Sequence, residues 1–478
     1  MIVIRRKFIL LMILIATITP LVFFAASKKT HNVDSTPIEK TQEAKFKPKN
    51  VPAGSDSTYE MNLTLNQEGM FHLDSSIVIK NTSEDPWKNL VFYFIPNLFT
   101  KERYSHLEHP ATIQFNEVTI NGEASTFELE EDTLTIPLKQ ELQQGKKINV
   151  TFDYQFTLPS EGKRFTKSLE SYYLAQFYPM VATYRNHKWN KEGYRFDGES
   201  YHTAFSDFKV KYTIPDDYTF VSTNENDKSP SDKEGTFEVK NTKELFIALL
   251  KDPSVIEKNE GNVHIRVFGL DKNKPLYKAI SKEAASTLTY FQEHIGPYPF
   301  KQLDIIIDQQ GMEYPGIITA PSISANPSAM EESLKRTVVH EIAHQWFYGV
   351  ISNDPYHDAW LDEGFAEFAT MLYQYSNSKE KIPYKLMYKQ VEDLKPLPVN
   401  LSLGQYEDNS AAYIYGKSNT MLWKLFEKRG GKKEAERFLK SYYKMYSYKE
   451  VNTQEFVRFA QYYFNFKDQK AFKEWLEL

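Results

Sequence analysis

Apolar and polar positions follow a period of two through much of the first half of the chain. Met61 to Leu65, His72 to Ile79, Leu90 to Phe94, Leu134 to Leu138, Ile148 to Tyr154 and Phe208 to Pro215 all read as strands with one buried face. Asn121-Gly122 and Gln144-Gly145 mark turns between them. No convincing helical period interrupts this stretch. Residues 58–255 are therefore expected to form an all-β domain, a sandwich or saddle of antiparallel sheets.

The pattern changes after about residue 256. Asn262 to Phe268 and Leu303 to Asp308 still alternate as strands. Leu276 to His294, Glu331 to Val350, Asp358 to about Tyr375, Ile382 to Leu394, Tyr413 to Arg429, Lys432 to Tyr446 and Thr453 to Phe464 carry the helical period instead. This predicts an α+β domain over 256–430 and a short helical segment over 431–478.

The N-terminus has its own character. Arg5-Arg6-Lys7 precedes an apolar run from Phe8 to Ala26, long enough as a helix to cross roughly 30 Å of hydrocarbon. Residues 1–29 are expected to be a transmembrane anchor with a cytoplasmic N-terminus. That places the protein in the cell membrane as a single-pass protein in contact with the lipid bilayer, its bulk extracytoplasmic. Cleavage of the segment as a signal peptide would make it secreted instead. Residues 30–57, rich in Lys, Thr, Pro and Asn, read as a flexible linker.

Composition narrows the function. A net charge of −5 offers no basic surface, which argues against nucleic acid as a partner. The count of zero Cys excludes disulfides and thiolate metal sites. Aromatic residues reach 15%, with a dense run between Tyr172 and Gly198 that either packs a long connection or lines a cleft. His187 and His202 lie near that run without a partner at metal-ligand spacing.

The chemistry concentrates in Val339-His340-Glu341-Ile342-Ala343-His344-Gln345. Two His at i and i+4 stand one above the other on a helix face and can share a Zn²⁺ ion. Val338, Val339, Ile342, Ala343, Trp346 and Phe347 make that helix apolar, so the His side chains are costly there unless ligated or hydrogen-bonded. Glu363, on the next helix, would be a third ligand and leave a fourth position open, as catalytic zinc sites do. Glu341 is placed to act as general base. Glu367, one turn after Glu363, either orients a ligating His or faces solvent. An edge strand near the zinc helix could bind a peptide as an added strand.

His340-Glu341-x-x-His344 followed by Glu363 in Trp360-Leu361-Asp362-Glu363-Gly364-Phe365, with Met312-Glu313 upstream, resembles the gluzincin metallopeptidases. The resemblance is greatest to the M1 family of zinc aminopeptidases, which includes aminopeptidase N and leukotriene A4 hydrolase, in a bacterial membrane-associated branch. It implies a saddle-like β domain before a thermolysin-like catalytic domain, one zinc per chain, and release of N-terminal amino acids from peptides with a free N-terminus. By the same resemblance Glu313 holds the substrate amine within the Gly311-Met312-Glu313 segment, and Tyr413 stabilises the oxyanion, with Tyr415 as the fallback. Two departures stand out. The family's Gly-x-Met-Glu-Asn reads Gln310-Gly311-Met312-Glu313-Tyr314 here. The second amine-gripping position falls at Gln176-Phe177-Tyr178-Pro179, where Gln176 partly substitutes. Endopeptidase or mixed specificity is therefore an alternative. Another is a membrane-tethered peptide-binding or sensor protein with a vestigial metal site, against which an intact Glu341 argues.

Overall fold

Every second residue of the strand Ser55–Leu65 is buried, from Ser55 to Leu65, and its neighbour Phe71–Asn81 repeats the pattern. The two pair antiparallel along their whole length, Ser55 opposite Asn81 and Leu65 opposite Phe71. We describe a computed structural model covering residues 46–478 apart from 105–106, 161, 197, 324–327, 377 and 407–408. The largest sheet runs, in spatial order, Glu234–Thr242, Ser206–Thr213, Ser55–Leu65, Phe71–Asn81, Lys147–Phe156, Ile113–Ile120 and Glu123–Ala124. It is not purely antiparallel as expected: Ser55–Leu65 runs parallel to Ser206–Thr213. Between them the chain passes through two further four-stranded sheets, and so long a crossover permits parallel pairing. The inward faces enclose Leu63, Phe71, Leu73, Ile77, Phe92, Phe152 and Tyr154, each such side chain contributing about 1.5–3 kcal/mol when fully buried.

Part of the aromatic run after Tyr172 packs this domain. Tyr172 meets Phe71 edge-on at 5.2 Å and Trp189 meets Trp87 at 4.6 Å. His187 lies at the surface on Asp85, and His202 is buried between Arg185 and Glu450.

The second half is built on a four-stranded sheet ordered β1 (Ser254–Glu260), β2 (Val263–Gly269), β3 (Gln302–Asp308), β4 (Ile317–Pro321). β1 is antiparallel to β2, and the rest are parallel. Helix α1 (Lys274–His294) makes the crossover from β2 to β3. Its start is set by Pro275 and by Asn273, whose side chain accepts from the Leu276 N–H. Helices α2 (Ser328–Ala343) and α3 (Glu363–Ser376) follow. The later helices Ser418–Phe426, Lys432–Tyr446 and Thr453–Phe464 pack into the same core, where Val338, Trp346, Phe365, Trp423, Phe438 and Phe456 are in one cluster. The segment after residue 431 thus completes the core of the second half rather than hanging from it.

A smaller cluster joins the two halves: Tyr173, Val221, Phe246 and Leu250 on one side, Phe268, Ile306, Met312 and Tyr314 on the other. Phe246 stacks on Tyr314 at 4.0 Å. The N-terminal approach adds a strap. Phe46 sits against Phe459 and Tyr462, the Val51 N–H donates to the Glu450 carbonyl, and Ala53 accepts from the Tyr184 N–H. The linker expected over 30–57 is therefore docked from residue 46 onward.

The expectation of a single-pass membrane protein needs correcting. No helix among the described residues is long and apolar enough to cross a membrane. The run from Phe8 to Ala26 lies outside the described residues.

Candidate metal centre

Helix α2 ends at Ala343, seven residues before its apolar pattern does. The chain tightens there because the N–H groups of Gln345 and Trp346 bond three residues back, to Ile342 and Ala343. Gln345 turns inward, and its Oε1 accepts from the Gly316 N–H at 2.8 Å while its Nε2 donates to the Tyr314 carbonyl at 3.1 Å. One buried amide thus fixes the loop carrying Gly311, Met312 and Glu313 against the end of the histidine helix. That loop also bridges to β4, Met312 and Thr319 exchanging both backbone hydrogen bonds.

His340, His344 and Glu363 meet at the centre. Their Nε2 atoms stand 3.1 Å apart, and Glu363 Oε2 is 3.2 Å from each. Tetrahedral zinc with bonds of about 2.0–2.1 Å separates its ligand atoms by roughly 3.3 Å. The triangle therefore fits that ion, and two imidazole nitrogens facing one another at this distance call for a cation or a proton between them. The ligand atoms are nitrogen and carboxylate oxygen, a donor set zinc accepts. His344 is locked in the right tautomer: its Nδ1 is 2.7 Å from Asp362 Oδ1, so that nitrogen carries the proton and Nε2 is left to ligate. His340 Nδ1 lies 3.3 Å from Glu367 Oε2, outside hydrogen-bond geometry but close enough for strong attraction. Glu367 is itself held by Arg336. Its side chain is 14% exposed and turned to the ligand rather than to solvent.

Charge sets the state of these groups. Burial works against charging both imidazoles, yet Glu363 and Glu367 raise His340 to about 9, and Asp362 and Glu313 hold His344 well above the usual range. Burial would raise Glu363 too, but hydrogen bonds from the two imidazoles hold it well below the carboxylate range. Glu341 is 6% exposed, and burial pushes it up to about 7 against the pull of His340 and His344. It faces the Gly311 backbone so closely that a Cβ on Gly311 would sit 2.3 Å from Glu341 Oε1.

Of the two tyrosines in Tyr413-Ile414-Tyr415, the structure brings Tyr415 to the centre. Ala412–Lys417 forms a π-helical turn, and residues two apart on it point to roughly opposite sides. Tyr415 donates to Glu363 Oε1. Tyr413 faces away, donating to the Lys395 carbonyl at 3.2 Å and stacking on Tyr406. Gly364 lets this turn come close, since a Cβ there would meet Ser418 Oγ at 2.5 Å.

Glu313 is 6% exposed beside the ligands, and its carboxylate accepts no hydrogen bond among the described residues. Gln176 is turned to Glu244: its Nε2 donates to that carboxylate at 3.3 Å and its Oε1 is buried without a partner. Tyr178 is occupied by the Leu245 N–H. Pattern reading passed over Asp362, although it sits beside Glu363 in the quoted motif. It also passed over Glu199, buried at the end of the aromatic run with its Oε2 unpartnered.

Residues 280–475 match the family model described as the peptidase family M1 domain. A leukotriene A-4 hydrolase of Xenopus laevis is 28% identical over 214 residues, 41% of this chain and 35% of that protein. An aminopeptidase N of Streptomyces lividans is 27% identical over 295 residues, 56% of this chain and 32% of that protein. The chain spans about a third of the length of these curated relatives. A crystal structure of an M1 zinc metallopeptidase from Deinococcus radiodurans shares the fold, with a TM-score of 0.64 at 17% identity over 89% of this chain and 94% of that one. A mutant of that protein was crystallised with a Tyr-ser-ala substrate.

Proposed function

We propose that this protein, whose residues 280–475 match the peptidase family M1 domain model, hydrolyses peptide bonds with one zinc ion per chain and releases amino acids from free N-termini. The observation that carries the reading is the triangle of His340 Nε2, His344 Nε2 and Glu363 Oε2, with sides of 3.1 and 3.2 Å beside a buried Glu341. When bound, zinc supplies a Lewis acid for the scissile carbonyl and lowers the pKa of a water.

The chain's own groups supply the rest. Glu341 removes a proton from the attacking water and carries it to the leaving amine. Its raised pKa suits both tasks, because it accepts a proton near neutrality and releases it again. Tyr415 turns its hydroxyl from Glu363 to the oxyanion, in a site where burial strengthens such a bond. Glu313 receives the substrate's α-ammonium, which sets the distance from the N-terminus to the bond cut. The peptide's backbone has a ready partner in Gly311 and Glu313, whose backbone groups flank the Met312–Thr319 bridge and are not used by it.

The test is a panel of aminoacyl-naphthylamides, N-acetylated counterparts and internally quenched peptides, with and without chelator. Free-amine substrates cleaved in a chelator-sensitive, zinc-restored manner are expected. Glu341→Gln should retain zinc and lose activity by orders of magnitude. Wild-type rates in that variant would end the mechanism, and equal cleavage of acetylated and free peptides would make the enzyme an endopeptidase.

A further inference from the structure

Arg164 is a buried guanidinium that commits its shortest hydrogen bond to a sulfur atom. It is 7% exposed, and its Nε donates to Met312 Sδ at 3.1 Å. Its Nη1 and Nη2 share the Gly198 carbonyl at 3.4 Å each. Glu199 Oε1 stands 3.6 Å from Nη2, and Glu199 Oε2 accepts no hydrogen bond. A thioether is a weak acceptor and a carboxylate a strong one. A guanidinium placed only to neutralise Glu199 would turn its planar fork onto both carboxylate oxygens. This one reaches instead to Met312, across the seam between the two halves.

Met312 is the pivot of the loop beside the metal centre. Its backbone exchanges both hydrogen bonds with Thr319 of β4. Successive side chains on a segment paired in this way leave it on opposite faces. Met312 goes to Arg164. Glu313 goes the other way, where a carboxylate oxygen lies within 4.8 Å of a His344 nitrogen and of an Asp362 oxygen. From the histidine helix, Gln345 holds Tyr314 and Gly316. Among the described residues, the bond from Arg164 is the one hydrogen bond that residues 310–316 receive from the β-rich half. The same sulfur has Gln310 Nε2 at 3.6 Å, so two donors fix the Met312 side chain.

We infer that Arg164 is a positioning residue: by holding the Met312 thioether from the β-rich domain, it sets where Glu313 stands against the metal centre. Substrate affinity therefore depends on how the two halves of the molecule meet. This rests on the aminopeptidase reading above, which gives Glu313 its task. Arg164 touches no substrate in this role and acts through Met312 alone.

Arg164→Met removes every donor along a stem of similar length. Arg164→Gln removes the charge but returns an amide nitrogen to the place of Nε. Fold and zinc content are checked by circular dichroism and metal analysis, and kcat and KM are read on leucine p-nitroanilide. Arg164→Met is expected to raise KM roughly tenfold or more with kcat changed far less, and Arg164→Gln to recover most of that loss. Met312→Leu keeps the volume and removes the acceptor. It should raise KM to a similar extent, and the double variant Arg164→Met/Met312→Leu should be no worse than the larger single one. Met312→Leu decides the matter if Arg164→Met does not fold, and a wild-type KM there overturns the assignment. Additive losses in the cycle, or Arg164→Gln as poor as Arg164→Met, would show that Arg164 serves the charge of Glu199 and overturn it too. If Glu313→Gln abolishes the preference for free over N-acetylated peptides while the Arg164 and Met312 variants keep the wild-type KM, this inference fails and the aminopeptidase reading stands. If the wild-type enzyme itself ignores acetylation, that reading fails and this inference with it.

Discussion

Tyr415 donates its hydroxyl to Glu363, and its ring lies against that of His340 with centroids 5.9 Å apart. No other tyrosine among the described residues hydrogen-bonds to or stacks on a member of the metal triangle. Tyr415→Phe is accordingly expected to lower kcat by roughly 10²–10³ with zinc retained, as removal of an oxyanion donor does. Tyr413→Phe should leave kcat within a few-fold and cost about 1 kcal/mol of stability through the lost bond to Lys395. Steady-state kinetics and thermal melts on the two variants separate the roles, and the reverse ordering would return the catalytic part to Tyr413.

Gly311 is constrained by the base rather than by its backbone angles. The atom a methyl group would strike is Glu341 Oε1, the free end of a flexible side chain. The fold can absorb Gly311→Ala by turning Glu341 aside, so the cost should fall on chemistry. A displaced base predicts at least a tenfold drop in kcat, since positioned proton transfer is worth about 10²–10⁴. Melting temperature and zinc content should stay near wild type. A large loss of stability with kcat intact would show that Gly311 serves packing instead.

Much of this was legible in the residues, for reasons that also explain the misses. Period-two alternation revealed the strands because one face is wet and one is buried. The pair His340 and His344 was visible because i, i+4 spacing fixes side-chain direction without tertiary information. Glu363 needed only a second helix nearby. Tyr415 was harder: Tyr413 and Tyr415 share a short stretch, and which one faces inward depends on a π turn that no simple period announces. The end of α2 at Ala343 was hidden by apolar residues that continue past it into a buried turn.

Glu367 stands behind His340 on the side away from Glu363, and it should govern metal affinity. It faces His340 Nδ1 at 3.3 Å and is anchored by Arg336. Removing such a supporting carboxylate typically weakens a metal site 10–100-fold. Glu367→Ala is expected to show that loss in competition with a fluorescent chelator, with activity recovered when zinc is added in excess. Glu332→Ala is the control, because Glu332 pairs only with Lys335 at the surface. Equal zinc affinity in the two variants would assign Glu367 to packing alone.

The acid side of the pH profile should report two events that can be told apart. Glu341 must be ionised to take a proton, so its contribution is present above its pKa and lost as pH falls through it. Burial places that pKa at about 7 without metal, and a bound cation stabilises the carboxylate and moves it lower. His340 and His344 must also give up protons to ligate, and both are held above the ordinary histidine range by the surrounding acids. Zinc affinity should therefore weaken as pH falls, by up to about a hundredfold per unit while both imidazoles compete for protons. At limiting zinc, kcat/KM should collapse from the metal side first. At saturating zinc the remaining limb should lie below pH 7 with a slope of one, and that limb belongs to Glu341. Zinc content measured along the same series distinguishes them: full occupancy with falling rate identifies the base. A profile insensitive to zinc concentration, or a rate that rises as pH drops from 7 to 5, would contradict an ionised Glu341 as the proton acceptor.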